Sequence, residues 1–406
     1  MRRISRGLRT LTAAAVVVGL VTVGQQPASA GPVSEPDFYT NVPADLGAFA
    51  PGDVIHWEAE TDLGPKLGDL TAYRVMYRSD GYTGAPTAEV AMVFVPDGPT
   101  PADGWPVVAW AHGTSGIGDS CAPSKYPSLY PSPWFQYANE IARLVRQGYV
   151  VTAPDYEGLG TPGLQPYLQT DPEAIAVIDA VRAAGAIVED VVGSTASTDW
   201  AVVGHSQGGQ AAFGAAELAA SRAPELRLVG AVGLAPATMA IGSMRGLARD
   251  PYTFPYIGYI AAGIGATHPG FDYAHFVGPQ LLPFMTYAEE WCFDYWFPIL
   301  HQYLRPGVRL NLTQGYASDP DVKDYFAKGQ TGLRPADAPI LYLQGTADGL
   351  YAVAPAQLKR MCGQDDTVRF TAYPGLEHDP IVWKGWPETK DWLADRFAGK
   401  PAPNDC

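Results

Sequence analysis

From about residue 88 the chain settles into short, wholly apolar runs alternating with longer ones whose apolar positions recur every three or four residues. "EVAMVFVP" and "PVVAWAHG" are strand-length and rich in β-branched side chains. "WFQYANEIARLVRQG" carries helical spacing and stops at Gly148, and "YVVTAPD" returns to a buried strand. "DPEAIAVIDAVRAAGAIV" predicts a helix with Asp171 as N-cap and Pro172 at its first position. Then follow "WAVVGHS", an alanine-rich helix, "LRLVGAVGLAP" and, much later, "APILYLQGTAD". A helix near "APAQLKRMC", a strand "VRFTAYPG" and a helix "PETKDWLADRFAG" close the pattern. Strands alternating with helices of this length imply an α/β fold, a mostly parallel sheet flanked by helices on both faces.

Between about residues 237 and 335 the rhythm breaks. "YTFPYIGYIAAGIGATHPGFDYAHF" and "LLPFMTYAEEWCFDYWFPILHQYL" are rich in aromatics and lack strands. Aromatic content by itself would suit extra core as well as a cap. Its place between two sheet strands, on the ligand-binding edge of a parallel sheet, favours a helical cap. The expected organisation is therefore core over 31–236, cap insertion over 237–335 and core again over 336–406.

The first thirty residues do not fit this scheme. Arg2, Arg3, Arg6 and Arg9 precede the apolar stretch "LTAAAVVVGLVTVG", and "ASA" ends at Ala30, the layout of a cleavable signal peptide. The apolar stretch is shorter than the roughly 20 residues a bilayer-spanning helix needs, so no stable membrane anchor is expected. Losing its four arginines takes the formal charge from −15 to −19. A surface that acidic repels phosphate backbones, so nucleic acid is not expected as a partner and a neutral small molecule is. Oligomeric state is not legible.

Cys121, Cys292, Cys362 and Cys406 suit an oxidising compartment and two disulfides, with three pairings open. No cysteines lie at zinc-site spacing and no HExxH occurs, so no metal site is expected.

The chemistry gathers at "GHSQGG", where Ser206 lies between Gly204 and Gly208 at a strand-to-helix junction. Gly-x-Ser-x-Gly in that context forces the serine into a strained turn, projecting its oxygen from the sheet edge. A serine nucleophile needs a base, and the base an acid to orient it. His378, in "YPGLEHDP" just after the last strand, is the histidine whose loop can reach back over Ser206. His205 adjoins the serine and should point away; His112 ends an earlier strand; His268, His275 and His301 fall in the insertion; His56 precedes the regular sheet. Asp348 ends "ILYLQGTAD" at the same sheet edge and lies between serine and histidine in chain order, ahead of Glu377, Asp379, Asp365 and Asp366 as the acid. Two N–H donors should face the developing oxyanion: Gln207, next after the serine, and a residue of the loop at Gly113–Ser115, best Thr114, whose hydroxyl could add a donor. "GLGTPG" at 158–163 matches a dinucleotide fingerprint, but Pro162 interrupts it and the helix starts only near Asp171, so it reads as a loop and no cofactor is expected.

Together "AHGTSGIGDSCAPS", "TAPDYEGLGTP", "GHSQGG" and "ILYLQGTADGLY" followed by "GLEH" resemble the secretory lipases of the α/β-hydrolase superfamily, the fungal lipase A-like family. The resemblance runs from "VPADLGAFAPGDVI" onward. It implies an α/β-hydrolase fold with a helical cap, hydrolysis of acylglycerols and simple esters, no cofactor, and disulfides Cys121–Cys292 and Cys362–Cys406. Some relatives place an acidic side chain in the oxyanion loop, where this chain has "HGTSG", so the backbone amide is the donor to expect. The rivals are a peptidase of the same fold, which would need a charged pocket for a peptide terminus, and a silent binding protein, which would need a broken triad.

Overall fold

The computed structural model describes residues 36–126, 137–237 and 240–406; the leader expected over residues 1–30 lies outside them. A nine-stranded sheet runs through the molecule: β1 (Val54–Glu60), β2 (Thr71–Asp80), β3 (Pro86–Val95), β4 (Trp105–Ala111), β5 (Val150–Pro154), β6 (Ala196–His205), β7 (Arg227–Leu234), β8 (Ile340–Gly345) and β9 (Val368–Tyr373), in the order β1-β2-β3-β5-β4-β6-β7-β8-β9. β1 to β3 form an antiparallel meander, and β3 pairs antiparallel with β5. From β5 across to β9 every neighbour is parallel. The carboxyl ends of β4, β6, β8 and β9 thus share one edge, which is where ligands bind to such sheets.

Both sheet faces are covered. On one lie α2 (Thr170–Ala186), α3 (Gln207–Arg222) and α7 (Ala354–Cys362); Phe213, Trp200 and Tyr342 are fully buried there among a bed of alanines. On the other, α1 (Tyr137–Arg146) and α8 (Trp386–Phe397) cover Trp110, Val203 and Leu341. Strands buried on both faces have no polar side to display, hence the unbroken apolar runs "VVAWA" and "AVVG".

The meander is the part of the sheet that the hydropathy pattern conceals. β2 buries Arg74 and Arg78, and those charges interrupt its apolar run; Arg74 is held by ion pairs to Glu58 and Glu60, and Arg78 by one to Asp80 at 2.6 Å. The start of α2 also differs from expectation. Asp171 is not the N-cap: the helix begins at Thr170, and Gln169 flanks it without a side-chain cap. Glu173 instead reaches back beyond the helix start to accept a hydrogen bond from Leu168 N–H at 2.9 Å, while Asp171 faces outward to an ion pair with Arg334.

Between β7 and β8 the chain packs α4 (Tyr256–Thr267), α5 (Phe293–Tyr303) and α6 (Pro320–Lys328) around their own apolar cluster, centred on Tyr259, Ile260, Trp291 and Tyr325. No strand of the sheet enters this stretch among the described residues. Cys121 is bonded to Cys292, tying the loop after β4 to the start of α5, and Cys362 to Cys406, pinning the chain end to α7. Among the described residues no helix is long and apolar enough to cross a membrane.

Candidate active site

Ser206 sits between β6 and α3 with φ 56° and ψ −115°, a left-handed conformation unusual for any residue but glycine. Such a backbone costs roughly 1–3 kcal/mol and persists only where its surroundings over-determine it. Here Ser206 N–H donates to Leu234 O at 2.9 Å, and Ser206 O accepts from Ala237 N–H at 2.8 Å and Gln210 N–H at 3.1 Å. The flanking glycines are steric necessities. A Cβ on Gly204 would lie 1.9 Å from Gly208 O, and one on Gly208 1.9 Å from Ala111 O.

The serine meets its expected partners. Ser206 Oγ lies 2.8 Å from His378 Nε2, and His378 Nδ1 lies 2.8 Å from Asp348 Oδ2. An ionised carboxylate can only accept, so Nδ1 carries the hydrogen and Nε2 presents its lone pair to the serine hydroxyl. Asp348 also accepts from Leu350 N–H at 2.9 Å and from Gln344 Nε2 at 2.6 Å. Burial would raise its pKa, but the charge and hydrogen bond of His378, with those two further donors, outweigh burial and hold the carboxyl below its ordinary value. For His378 burial disfavours the cation, yet the charge and hydrogen bond of Asp348, with the charge of Asp379, raise its pKa above that of a free imidazole. Asp379 makes no hydrogen bond to the ring among the described residues, and Asp366 is spent on Ala336 N–H at 2.8 Å, away from the histidine.

His205 does more than avoid the serine. Its Nε2 lies 3.3 Å from His378 O, and a carbonyl can only accept, so Nε2 carries the hydrogen. Nδ1 then accepts from Tyr137 Oη at 2.6 Å, and Tyr137 Oη accepts from Gly113 N–H at 3.1 Å. Burial, with the charge of His378, lowers the pKa of His205 well below 6.5, so the ring stays neutral and the polarity of the chain is fixed. The buried relay links the loop after β4 to the backbone of His378. Sequence reasoning missed it, because nothing marks Tyr137, 68 residues away, as a partner of His205.

Gln207 is the first residue of α3, so no carbonyl inside the helix accepts from its N–H, and the helix N-terminus favours negative charge there. Thr114 is buried in the loop after β4, its Oγ1 2.6 Å from Tyr167 Oη. His112 stacks on Tyr156 and its Nδ1 lies 2.7 Å from Gly113 O; burial lowers its pKa to about 4, leaving it a neutral prop of the same loop. His268 and His275 pair with Asp324 and Asp319 in the insertion, away from the serine, and His301 stacks on Tyr252. The 158–163 segment is a loop, and the helix after it starts at Thr170.

This arrangement can deliver an activated serine oxygen to an electrophilic carbonyl and collect the resulting negative charge on backbone amides. Comparison with known proteins agrees on the class. A sequence model of the secretory lipase family matches residues 136–405. A secreted triacylglycerol lipase of Malassezia globosa is 27% identical over 91% of this chain and 81% of its own length. A lipase A of Moesziomyces aphidis is 28% identical over 67% of this chain, and the match spans only 58% of that protein. A Mycobacterium tuberculosis relative, 27% identical over 82% of this chain and 75% of its own, bears the name "probable inactive lipase". Candida antarctica lipase A superposes with a TM-score of 0.75 over 91% of this chain and 87% of that one, at 20% identity, a likeness of fold. With the family match running from the start of α1 to the last residues, this chain belongs to the secretory lipases and carries their α/β-hydrolase fold.

Proposed function

We propose that the chain is a secreted serine carboxyl-ester hydrolase, a lipase or esterase that cleaves acylglycerols or other neutral esters through an acyl-enzyme. One observation carries the reading: the hydrogen-bonded order Ser206–His378–Asp348 at a strained strand-to-helix turn. Ser206 Oγ bonds to the ester carbonyl carbon while its proton passes to His378 Nε2. The carbonyl oxygen, now negative, accepts hydrogen bonds from the amides of Gln207 and Thr114, each contributing about 3 kcal/mol of barrier lowering. Collapse breaks the bond to the alcohol, which leaves with the proton from His378. Water then repeats the sequence with His378 as base, releasing the acid and restoring Ser206. Asp348 keeps the ring in the productive tautomer and stabilises it as imidazolium.

The helical insertion between β7 and β8 is the proposed cap, and its aromatic and aliphatic content suits an acyl chain better than a charged peptide terminus. The intact triad weighs against a silent binding protein. Export fits the leader, the two disulfides and the family.

Reaction of the purified chain with an active-serine phosphonate, followed by peptide mass mapping, tests the nucleophile. Adduct on Ser206, with loss of p-nitrophenyl butyrate hydrolysis by many powers of ten in Ser206→Ala, is the expected result. Substantial turnover by folded Ser206→Ala would refute the mechanism. If the insertion binds acyl chains, kcat/KM should rise from acetate to octanoate esters, burial being worth about 0.8 kcal/mol per methylene; equal values along the series would leave a small-ester esterase.

A further inference from the structure

Tyr167 joins two parts of the molecule that the mechanism leaves separate, the loop after β4 and the helical insertion. Its phenol and Thr114 Oγ1 lie 2.6 Å apart, both side chains buried. Either oxygen could donate across that contact. A phenol is far more acidic than an aliphatic alcohol and its oxygen lone pair is delocalised into the ring, so of the two oxygens it is the better donor and the poorer acceptor. The phenol therefore donates, and burial, which pushes its pKa far above the ordinary phenol value, keeps it protonated. Thr114 Oγ1 accepts, and its own hydrogen is left to donate elsewhere.

The backbone that aims Tyr167 is strained and clamped. Leu168, buried, has φ 55°, a conformation a leucine rarely adopts. Both its backbone polar groups are held by buried side chains: Glu173 Oε1 accepts from Leu168 N–H at 2.9 Å, and Gln210 Nε2 donates to Leu168 O at 2.9 Å. Tyr325 Oη of α6 donates to Tyr167 O, so the insertion grips the same turn. Glu173 Oε1 also accepts from Gln207 Nε2 at 2.7 Å, the side chain of the residue whose amide is proposed above to bind the oxyanion. Burial pushes the Glu173 carboxyl up to about 8, so at neutral pH the clamp adds no negative charge behind the place where negative charge must develop. The strain and the clamp serve one end, the placing of a phenol against Thr114.

Resting on the Ser206 mechanism above, we propose that the oxyanion site has a third donor, the Thr114 hydroxyl, aimed by Tyr167 as its positioning residue. The test is a double-mutant cycle in the full-length chain on p-nitrophenyl butyrate, with Tyr167→Phe, Thr114→Val, their combination, and Thr114→Ser. Thr114→Val should lower kcat by about 10²-fold, the scale of one oxyanion donor, with KM within about twofold. Thr114→Ser should recover most of that loss. Tyr167→Phe should lower kcat by about tenfold in the wild-type and Ser backgrounds, and by less than about twofold once Val has removed the hydroxyl, because coupled residues are non-additive. Equal cost of Tyr167→Phe in the wild-type and Val backgrounds would show a packing role and overturn the proposal, as would a Thr114→Val chain as fast as wild type. Should Tyr167→Phe not fold, Val against Ser at position 114 decides. A wild-type chain that neither labels at Ser206 nor turns over would instead refute the underlying mechanism.

Discussion

On the proposed mechanism, Asp348 sets the pH at which His378 can work. The base must be neutral to accept the serine proton, and the carboxylate at 2.8 Å raises its pKa above 6.5, so kcat/KM should climb with pH on a limb whose midpoint lies above 6.5. Asp348→Asn removes the charge: the midpoint should fall to lower pH while kcat drops by about 10⁴-fold through loss of the tautomer. A rate profile whose midpoint does not move in Asp348→Asn would contradict the assignment of the acid. The same pair touches stability with opposite signs. The His378 contribution is present below 6.5 and is lost as pH rises through its raised pKa, whereas the Asp348 contribution is present above 3.8 and is lost as pH falls through its lowered one. His205 and Tyr137 act one layer further back. Tyr137→Phe takes from His205 Nδ1 its donor and from Gly113 N–H its acceptor, both buried, so about 1–3 kcal/mol of stability should be lost. Thermal unfolding of Tyr137→Phe unchanged from wild type would mean that the relay is slack.

At the scale of elements, the elbow between β6 and α3 is a geometric instruction written in two glycines, and its legibility in the sequence follows from that. Gly204→Ala would set a Cβ 1.9 Å from Gly208 O, forcing strand and helix apart. An ångström at the nucleophile is worth about 10² in rate, so turnover should fall at least that far while far-UV circular dichroism stays native; near-wild-type activity would show that the elbow tolerates the shift. The inner parallel strands β4 to β8 are equally legible, because burial on both faces demands unbroken apolar runs, whereas the edge strand β9 is half-buried and carries Arg369 and Thr371. Ser206 and Asp348 can be placed because each follows the carboxyl end of such a run, and His378 because its loop follows β9 at the same edge. The meander is not legible in its first two strands: Arg74 and Arg78 are tolerated inside by Glu58, Glu60 and Asp80, pairings that hydropathy cannot register. The start of α2 departs from expectation for a related reason. Asp171 has the chemistry of a cap, but Glu173 reaches back to Leu168 instead. Tyr167 and Tyr137 lie wholly beyond reach, since what they do depends on partners 53 and 68 residues distant.

Across the whole molecule the two disulfides close loops of very different consequence. Cys362–Cys406 spans 44 residues and fastens the chain end, where Asp405 N–H already donates to Val368 O at the amino end of β9, the sheet edge opposite the one that carries the serine. Cys121–Cys292 spans 171 residues and joins the loop carrying Thr114 to the helical insertion. The backbone repeats that tie, with Phe293 N–H donating to Ser115 O at 2.7 Å and Ile117 N–H to Trp291 O at 3.1 Å. Loop-closure entropy grows only logarithmically, so the two bridges differ by about 1 kcal/mol, and each should contribute about 2–5 kcal/mol. Their effects on catalysis should differ far more. With Cys121 and Cys292 both changed to Ser, these two backbone bonds are left to hold the loop carrying Thr114 to the insertion, and misplacing the oxyanion donors proposed for it would cost rate steeply. Measured well below the melting temperature of each variant, that pair should lose at least tenfold in kcat on p-nitrophenyl butyrate, while the Cys362/Cys406 pair keeps wild-type kcat despite a lowered Tm. If both pairs lowered Tm and neither changed kcat, the bridge would be a fastener only, and the loop carrying Thr114 would be held by its own hydrogen bonds to Tyr137 and Tyr167.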